Sequence, residues 1–243
     1  MFQFQQSSLS NQFSVFQKIK NFDYILLTCI LLLGIISGLS MYATDGGEFL
    51  YHTQSHILKF LIFFPLMICL SFFPIKFWHT VGYFFYLMVF LFLIWASLYG
   101  IKASGSQRWI NLYFINLQPS ELMKIAIILC LAKYYHRIQL DSVNSFKNTL
   151  IALVILILPI MLVISQPDLG TSVLIALSGF TVLWLVGVNI KYFFYSFLTL
   201  IISMPFAISF LKPYQKMRIL TFLNPDRDPL GAGYQIIQSK IAV

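Results

Sequence analysis

The chain has 243 residues, 59% hydrophobic and only 10% charged, with a formal net charge of +8 and a mean hydropathy of +0.82. A soluble domain carries roughly 25% charged residues, so this composition excludes one and predicts an all-α, polytopic membrane helix bundle. The basic residues are dispersed between apolar runs with no stripe among them. That excludes nucleic acid as a partner and points to topogenic charge and attraction to anionic lipid.

Residues 1–20, rich in Gln, Ser and Phe, lack the early apolar core of a cleavable signal. The first span is therefore expected to insert the protein and remain. An apolar run of about 20 residues crosses the hydrocarbon as a helix. Seven such spans are predicted, at 24–42, 57–74, 79–100, 118–136, 149–165, 169–187 and 192–211. The bundle then covers 21–211, between an N-terminal tail (1–20) and a more polar loop (212–243). Gly34 and Gly38 form a GxxxG in the first span. It can serve as a dimer face or, the reading we favour, as a close contact with a neighbouring span of the same chain. Cys29, Cys69 and Cys130 each stand alone in an apolar run, without metal or disulfide spacing, and are expected to be buried thiols.

Orientation follows from Lys and Arg in the short loops. Lys18, Lys20, Lys76, Lys133, Arg137, Lys147 and Lys191 share one side, against Lys102 and Arg108 on the other, with Lys59 at a span edge. The N-terminus is therefore expected to be cytoplasmic, and 43–56, 101–117, 166–168 and 212–243 external. The last segment places Lys212, Lys216, Arg218, Arg227 and Lys240 outside, against the simple rule, which suggests an anionic ligand or membrane-surface contact there.

Three polar stretches interrupt the apolar pattern. In "SQRWINLYFINLQPSELMK", Pro119 suits the first turn of a helix. Gln118, Glu121 and Lys124 follow close to one face, with Lys124 about 9 Å into the span by the helical rise. Lys124 either snorkels beside Glu121 or joins Arg108 in an outward polar pocket that meets a phosphate. Trp109 belongs at headgroup level on either reading. In "SQPDLGTS", Asp168 is placed to cap a helix starting near Leu169. The cap explains less well Gln166 and the Gly170-Thr171-Ser172 cluster. In 211–240, Pro225, Pro229, Gly231 and Gly233 mark turns. Tyr214, Met217, Ile219 and Leu220 beside Lys216 and Arg218 read as an amphipathic surface segment. His52, His56, His79 and His136 lie near span ends and read as interfacial residues rather than ligands.

The motifs "GSQRWINL", "LQPSELMKIA", "SQPDLGTSVLIALSG" and "YQKMRILTFLNPDRDPLGAGYQIIQSKIA" together resemble the SEDS family of RodA, FtsW and SpoVE, its rod-shape branch most closely. The resemblance runs from the first span to the last residue. It implies a peptidoglycan glycosyltransferase of the bacterial inner membrane. Such an enzyme polymerises lipid II, an undecaprenyl-diphosphate-linked disaccharide-peptide, on the outer face during cell-wall elongation, with a class B penicillin-binding protein as partner. The matching positions imply substrate-binding roles for Arg108, Trp109, Gln118, Glu121, Lys124, Gln166, Asp168 and Gln235, alongside Pro119, Pro167, Gly170, Tyr234, Gln238 and Ser239. The chemistry demands no certain cofactor and leaves room for a divalent cation, Mg²⁺ or Mn²⁺.

Two departures stand out. Many relatives carry a basic residue where this chain has Asn116, which removes one phosphate contact. The family also continues with a glycine-rich segment, an outer-loop His-Thr-Asp-Phe motif holding the proposed catalytic aspartate, and three further spans. None of these lies in the 243 residues. The resemblance thus implies an incomplete form that begins the large external loop at 212–243 and does not polymerise glycan alone. Asp226 and Asp228 match the proline-turn segment rather than that motif, so no catalytic residue is assigned. Two readings of other classes remain: a flippase of lipid-linked precursors, and a non-catalytic membrane scaffold for a penicillin-binding protein.

Overall fold

The computed structural model describes residues 15–103, 106–111, 116–210, 216–217, 220–222, 224 and 233–241. Helices run from Val15 to Lys20 (α1), Tyr24 to Thr44 (α2), Tyr51 to Ser71 (α3), Ile75 to Tyr99 (α4), Pro119 to His136 (α5), Phe146 to Ser165 (α6), Leu169 to Val186 (α7), Ile190 to Phe210 (α8) and Tyr234 to Ile241 (α9). A helix thus stands at every predicted span. Among the described residues five of them, α2, α3, α4, α6 and α7, are long and apolar enough to cross a membrane. Helix α5 falls outside the five because Glu121, Lys124 and Lys133 punctuate its apolar sequence, and α8 enters only as the shorter apolar stretch Ile190–Ser203. The chain is a multi-pass membrane protein, all-α in its spanning elements.

Two boundaries differ from expectation for identifiable reasons. Helix α3 starts at Tyr51, before the apolar run. The carboxylate of Asp45 accepts from the Thr53 amide at 2.8 Å and from its hydroxyl at 2.7 Å. An acceptor supplied across the preceding turn thus satisfies a first-turn donor, and the helix extends into polar sequence. These bonds, the Thr53 amide first, hold the Asp45 carboxyl below its ordinary value. The second difference is the stretch 101–117, expected as a loop. It forms three short antiparallel strands, Ile101–Ala103 (β1), Ser106–Asn111 (β2) and Asn116–Leu117 (β3), in the order β1-β2-β3.

The chain divides into two compact units, Met1–Gln139 with Leu150–Val182, and Leu140–Thr149 with Leu183–Val243. In the first, the core lies where α4 meets α5. Val89, Leu93 and Ala96 of α4 are fully buried, as are Met123, Ala126, Ile127 and Leu131 of α5. Their three- and four-residue spacing is one stripe of each helix. The backbones approach closely at Gly82, where a Cβ would lie 3.0 Å from the Leu129 carbonyl oxygen. Leu156 and Val163 of α6 and Ile175 of α7 are also buried. Helix α2 buries no residue, as suits a span whose outward faces meet acyl chains.

Gly34 of the GxxxG sits against the Phe60 ring of α3, where a Cβ would collide with it, and the Gly34 carbonyl lies 3.4 Å from His56 Nε2. The glycines therefore serve packing within the chain. Of the cysteines only Cys130 is buried; Cys29 and Cys69 are exposed. That corrects the expectation of three buried thiols, since apolar sequence in a lipid-facing helix does not imply burial in protein. In the second unit, the Asn144 side chain accepts from the Asn189 amide at 2.8 Å, joining two turns. Within the expected amphipathic segment, Tyr214, Arg218 and Ile219 lie outside the described residues, as do the turn positions Pro225, Pro229 and Gly231.

Candidate functional site

Strand β2 follows α4 through Gly100 and β1. Gly100 is required by a close approach: a Cβ there would meet the Ala96 carbonyl oxygen and lie 3.0 Å from that of Trp109. The β1–β2 register pairs Ile101 with Trp109 but Lys102 with Gln107. The shift leaves Arg108 without an opposite residue on β1. A bulge of this kind re-aims a side chain, and here it is Arg108 that is re-aimed.

Arg108 Nη1 lies 3.0 Å from Asp168 Oδ2, with 25% of the arginine and 9% of the aspartate side chain exposed. The same Oδ2 accepts from Gln118 Nε2 at 3.1 Å. Gln118 stands immediately before α5, whose first helical residue is Pro119 as expected. Asp168 Oδ1 accepts from the Thr171 amide at 3.3 Å and caps α7. The cap reading and the functional reading of Asp168 therefore describe different oxygens of one carboxylate. Three stretches far apart in sequence, a strand, a helix entry and a turn, meet at it. The Arg108 Nε is buried without a partner, as is the Ser120 hydroxyl one residue into α5. The guanidinium thus keeps donors beyond the one that Asp168 takes.

Lys124 Nζ lies 2.8 Å from Glu121 Oε2, one turn away on α5, with 25% and 54% of the side chains exposed. The snorkelling and pocket readings share this pair, because an ammonium whose partner carboxylate is half-exposed can exchange it for another anion. Gln166 takes no part in the cluster. Its amide donates to the Leu93 carbonyl at 3.0 Å in a buried bond, tying the α6–α7 turn to α4. Trp109 is half-buried on β2, and Asn116 is exposed on β3, opposite Asn111. Gln235 belongs to α9 in the second unit, and its side chain is not among those described. Asp226 and Asp228 lie outside the described residues. Among the described residues no three His, Cys, Asp or Glu side chains converge to hold a metal ion.

Sequence reasoning assembled these residues without pairing Arg108 to Asp168. The missed signal is the one-residue shift between β1 and β2, which only the strand register reveals. It also missed Asp45, which reads as an ordinary turn aspartate until Thr53 is seen against it.

The FtsW/RodA/SpoVE profile, described as cell cycle protein, matches residues 16–243. The peptidoglycan glycosyltransferase MrdB of Escherichia coli K12 is 35% identical over 222 residues, which cover 91% of this chain and 59% of that protein. A probable peptidoglycan glycosyltransferase FtsW of Buchnera aphidicola (Schizaphis graminum) is 37% identical over 204 residues, 81% of this chain and 57% of that one. The chain thus spans under three fifths of the length of each of these relatives. Among solved structures, a chain from a peptidoglycan synthase complex, described as coordinating polymerization and crosslinking, superposes with a TM-score of 0.73 at 27% identity, over 90% of this chain and 63% of that one. The rod shape determining protein RodA of Thermus thermophilus gives 0.61 at 21% identity, over 74% and 57%, a likeness of fold. The chain belongs to the FtsW/RodA/SpoVE family of cell cycle proteins.

Proposed function

We propose that the chain acts in peptidoglycan glycosyl transfer of the RodA type, binding lipid II for its polymerisation into glycan strands during cell-wall elongation. The observation that carries this reading is the convergence of Arg108, Gln118 and Asp168, with the Lys124–Glu121 pair starting one turn after Gln118 on α5. Lipid II presents a diphosphate at headgroup depth. A guanidinium fixed by a carboxylate and an ammonium in a half-buried setting supply two cations for that charge. When the sugar is transferred, the diphosphate departs with added negative charge, and oriented cations stabilise that departure most. Asp168 has both oxygens engaged, which suits it to hold Arg108 in place. Trp109 stands next to Arg108 on β2, where its ring serves the headgroup boundary. The base that activates the acceptor hydroxyl is not assigned to any residue of this chain. A divalent cation, Mg²⁺ or Mn²⁺, would add to the charge that Arg108 and Lys124 offer the diphosphate.

In this reading the N-terminus is cytoplasmic, which the Lys and Arg distribution supports, within the bacterial inner membrane. Residues 1–20 form the tail, 21–211 the bundle and 212–243 the start of the external loop. The partner is a class B penicillin-binding protein, in line with the similarity to a chain of a peptidoglycan synthase complex. The test is reconstitution of the purified chain with fluorescent lipid II, alone and with that partner. Retention of lipid II, weakened by Arg108→Gln, is expected. Translocated monomer would favour a flippase, and no lipid II binding would defeat the proposal.

A further inference from the structure

At the end of the α4–α5 pair opposite the β strands lies a second polar cluster that the proposed function does not use. His79 of α4 and His136 of α5 pack ring against ring, 4.8 Å between centroids and nearly perpendicular. One turn along, Lys133 is 7% exposed, donates to the Thr80 carbonyl at 2.6 Å and sits 4.7 Å from the centre of the Tyr83 ring. Arg137 approaches the same ring at 5.7 Å. Among the described residues no carboxylate lies within 4.0 Å of any of these four groups, since the two ion pairs lie elsewhere.

Placement for topology accounts for Arg137 and His136, which end a helix where cations complement the dipole. It does not account for the rest. A buried ammonium is ordinarily paired with an anion, whereas Lys133 has one carbonyl for three donors. His79 Nε2 is buried with no partner at all. Helix α4 begins at Ile75, one turn before His79, and has no acidic residue in its first turn, so the positive end of its dipole adds to the cluster. Two cationic side chains, two imidazoles and a helix start therefore converge with no carboxylate among the described residues to balance them, opposed only by the C-terminal end of α5.

We propose that this cluster is a binding site for a phosphate group at the membrane surface, with Lys133, Arg137, His79 and His136 as its ligands. The phosphate of an anionic phospholipid headgroup and free phosphate share the required chemistry. The site lies at the ends of α4 and α5 away from Arg108 and is independent of the lipid II site.

Native mass spectrometry of the whole chain, released from a neutral maltoside detergent, separates the sources. Dioleoylphosphatidylglycerol, dioleoylphosphatidylcholine and inorganic phosphate are each titrated. One tightly held phosphatidylglycerol per chain, with phosphatidylcholine bound about tenfold more weakly, marks the headgroup as the ligand. Displacement of that lipid by inorganic phosphate marks soluble phosphate as sufficient. The double variant His136→Gln with Arg137→Gln touches exposed residues and leaves the buried core in place. The variant removes one formal cation, Arg137, and at roughly fivefold per cation near a membrane surface it weakens binding by about fivefold or more. The control Lys20→Gln with Lys191→Gln removes two exposed cations outside the cluster and leaves binding unchanged. Equal retention of both lipids, no loss in the cluster variant, or equal loss in the control would overturn the proposal. Because none of these readouts involves lipid II, they stand or fall apart from the function proposed above.

Discussion

Replacing Asp168 tests the junction between β2, α5 and α7 most sharply. Asp168→Asn retains the shape and an oxygen able to cap α7 but removes the charge that Arg108 meets at 3.0 Å. At an effective dielectric of about 20, two unit charges at that distance attract by roughly 5–6 kcal/mol before desolvation is counted. Desolvation offsets much of this, since the pair is mostly buried, but that cost is already met in the folded protein. Removing one partner therefore leaves a guanidinium with little water and no counter-charge, and costs about 2–4 kcal/mol. Arg108→Gln strands the carboxylate and costs a similar amount. The double variant removes both charges and is destabilised by clearly less than the sum, with a coupling of about 1.5–3 kcal/mol. The assay is reversible SDS-induced unfolding in mixed micelles, followed by tryptophan fluorescence, for the parent and the three variants. Additivity to within about 0.5 kcal/mol would show that the two charges do not pair in the membrane, and the site as described would fail with it.

Further outcomes follow from other contacts. Glu121→Gln changes stability by less than about 0.5 kcal/mol, because a half-exposed pair one turn apart contributes little, whereas Lys124→Ala weakens lipid II binding about tenfold; the reverse ranking in the same two assays would assign Lys124 to structure. Gly82→Ala pushes a Cβ against the Leu129 carbonyl and lowers stability by about 1–3 kcal/mol, read in the same unfolding assay, where an unchanged midpoint would contradict the close α4–α5 approach. The Asp45 carboxyl has its value lowered by the Thr53 amide and hydroxyl. Its contribution is present above the ordinary carboxylate value and disappears as pH falls through the lowered one. Stability measured downward from pH 5 should therefore fall less steeply in Thr53→Val than in the parent; parallel curves would refute the link. Cysteine placed at Gln107 is labelled from outside intact cells and cysteine at Ser142 is not; the opposite pattern would invert the topology.

Helices α2 to α8 were legible because each covers a long apolar run, and Pro119 and Asp168 marked their helix starts by local chemistry alone; the short α1 and α9 carry no such run. The packing of Gly34 was also readable in kind, though not its partner Phe60. What escaped local reading shares one cause: it depends on residues brought together from a distance. Gln118 and Asp168 meet across 50 positions of sequence. The shift that turns Arg108 toward them is a property of two strands in register, not of either alone. The early start of α3 likewise depends on Asp45 reaching forward to Thr53. Gln166 illustrates the converse. It sits in a motif that resemblance assigns to substrate, yet its amide also donates to the Leu93 carbonyl, so a residue that the motif alone marks for substrate also anchors the α6–α7 turn.

The claim on which the functional account rests is that Arg108, held by Asp168, meets the diphosphate of a lipid-linked glycan precursor. The direct measurement is the equilibrium binding of fluorescent lipid II to the chain in phosphatidylcholine nanodiscs, with undecaprenyl phosphate as the ligand that lacks the sugar and one phosphate. The account predicts that Arg108→Gln and Asp168→Asn each weaken lipid II about tenfold or more, the loss expected for a charge-assisted bond to phosphate, and weaken undecaprenyl phosphate less. Lipid II bound with unchanged affinity by both variants, in protein shown to be folded, would contradict it.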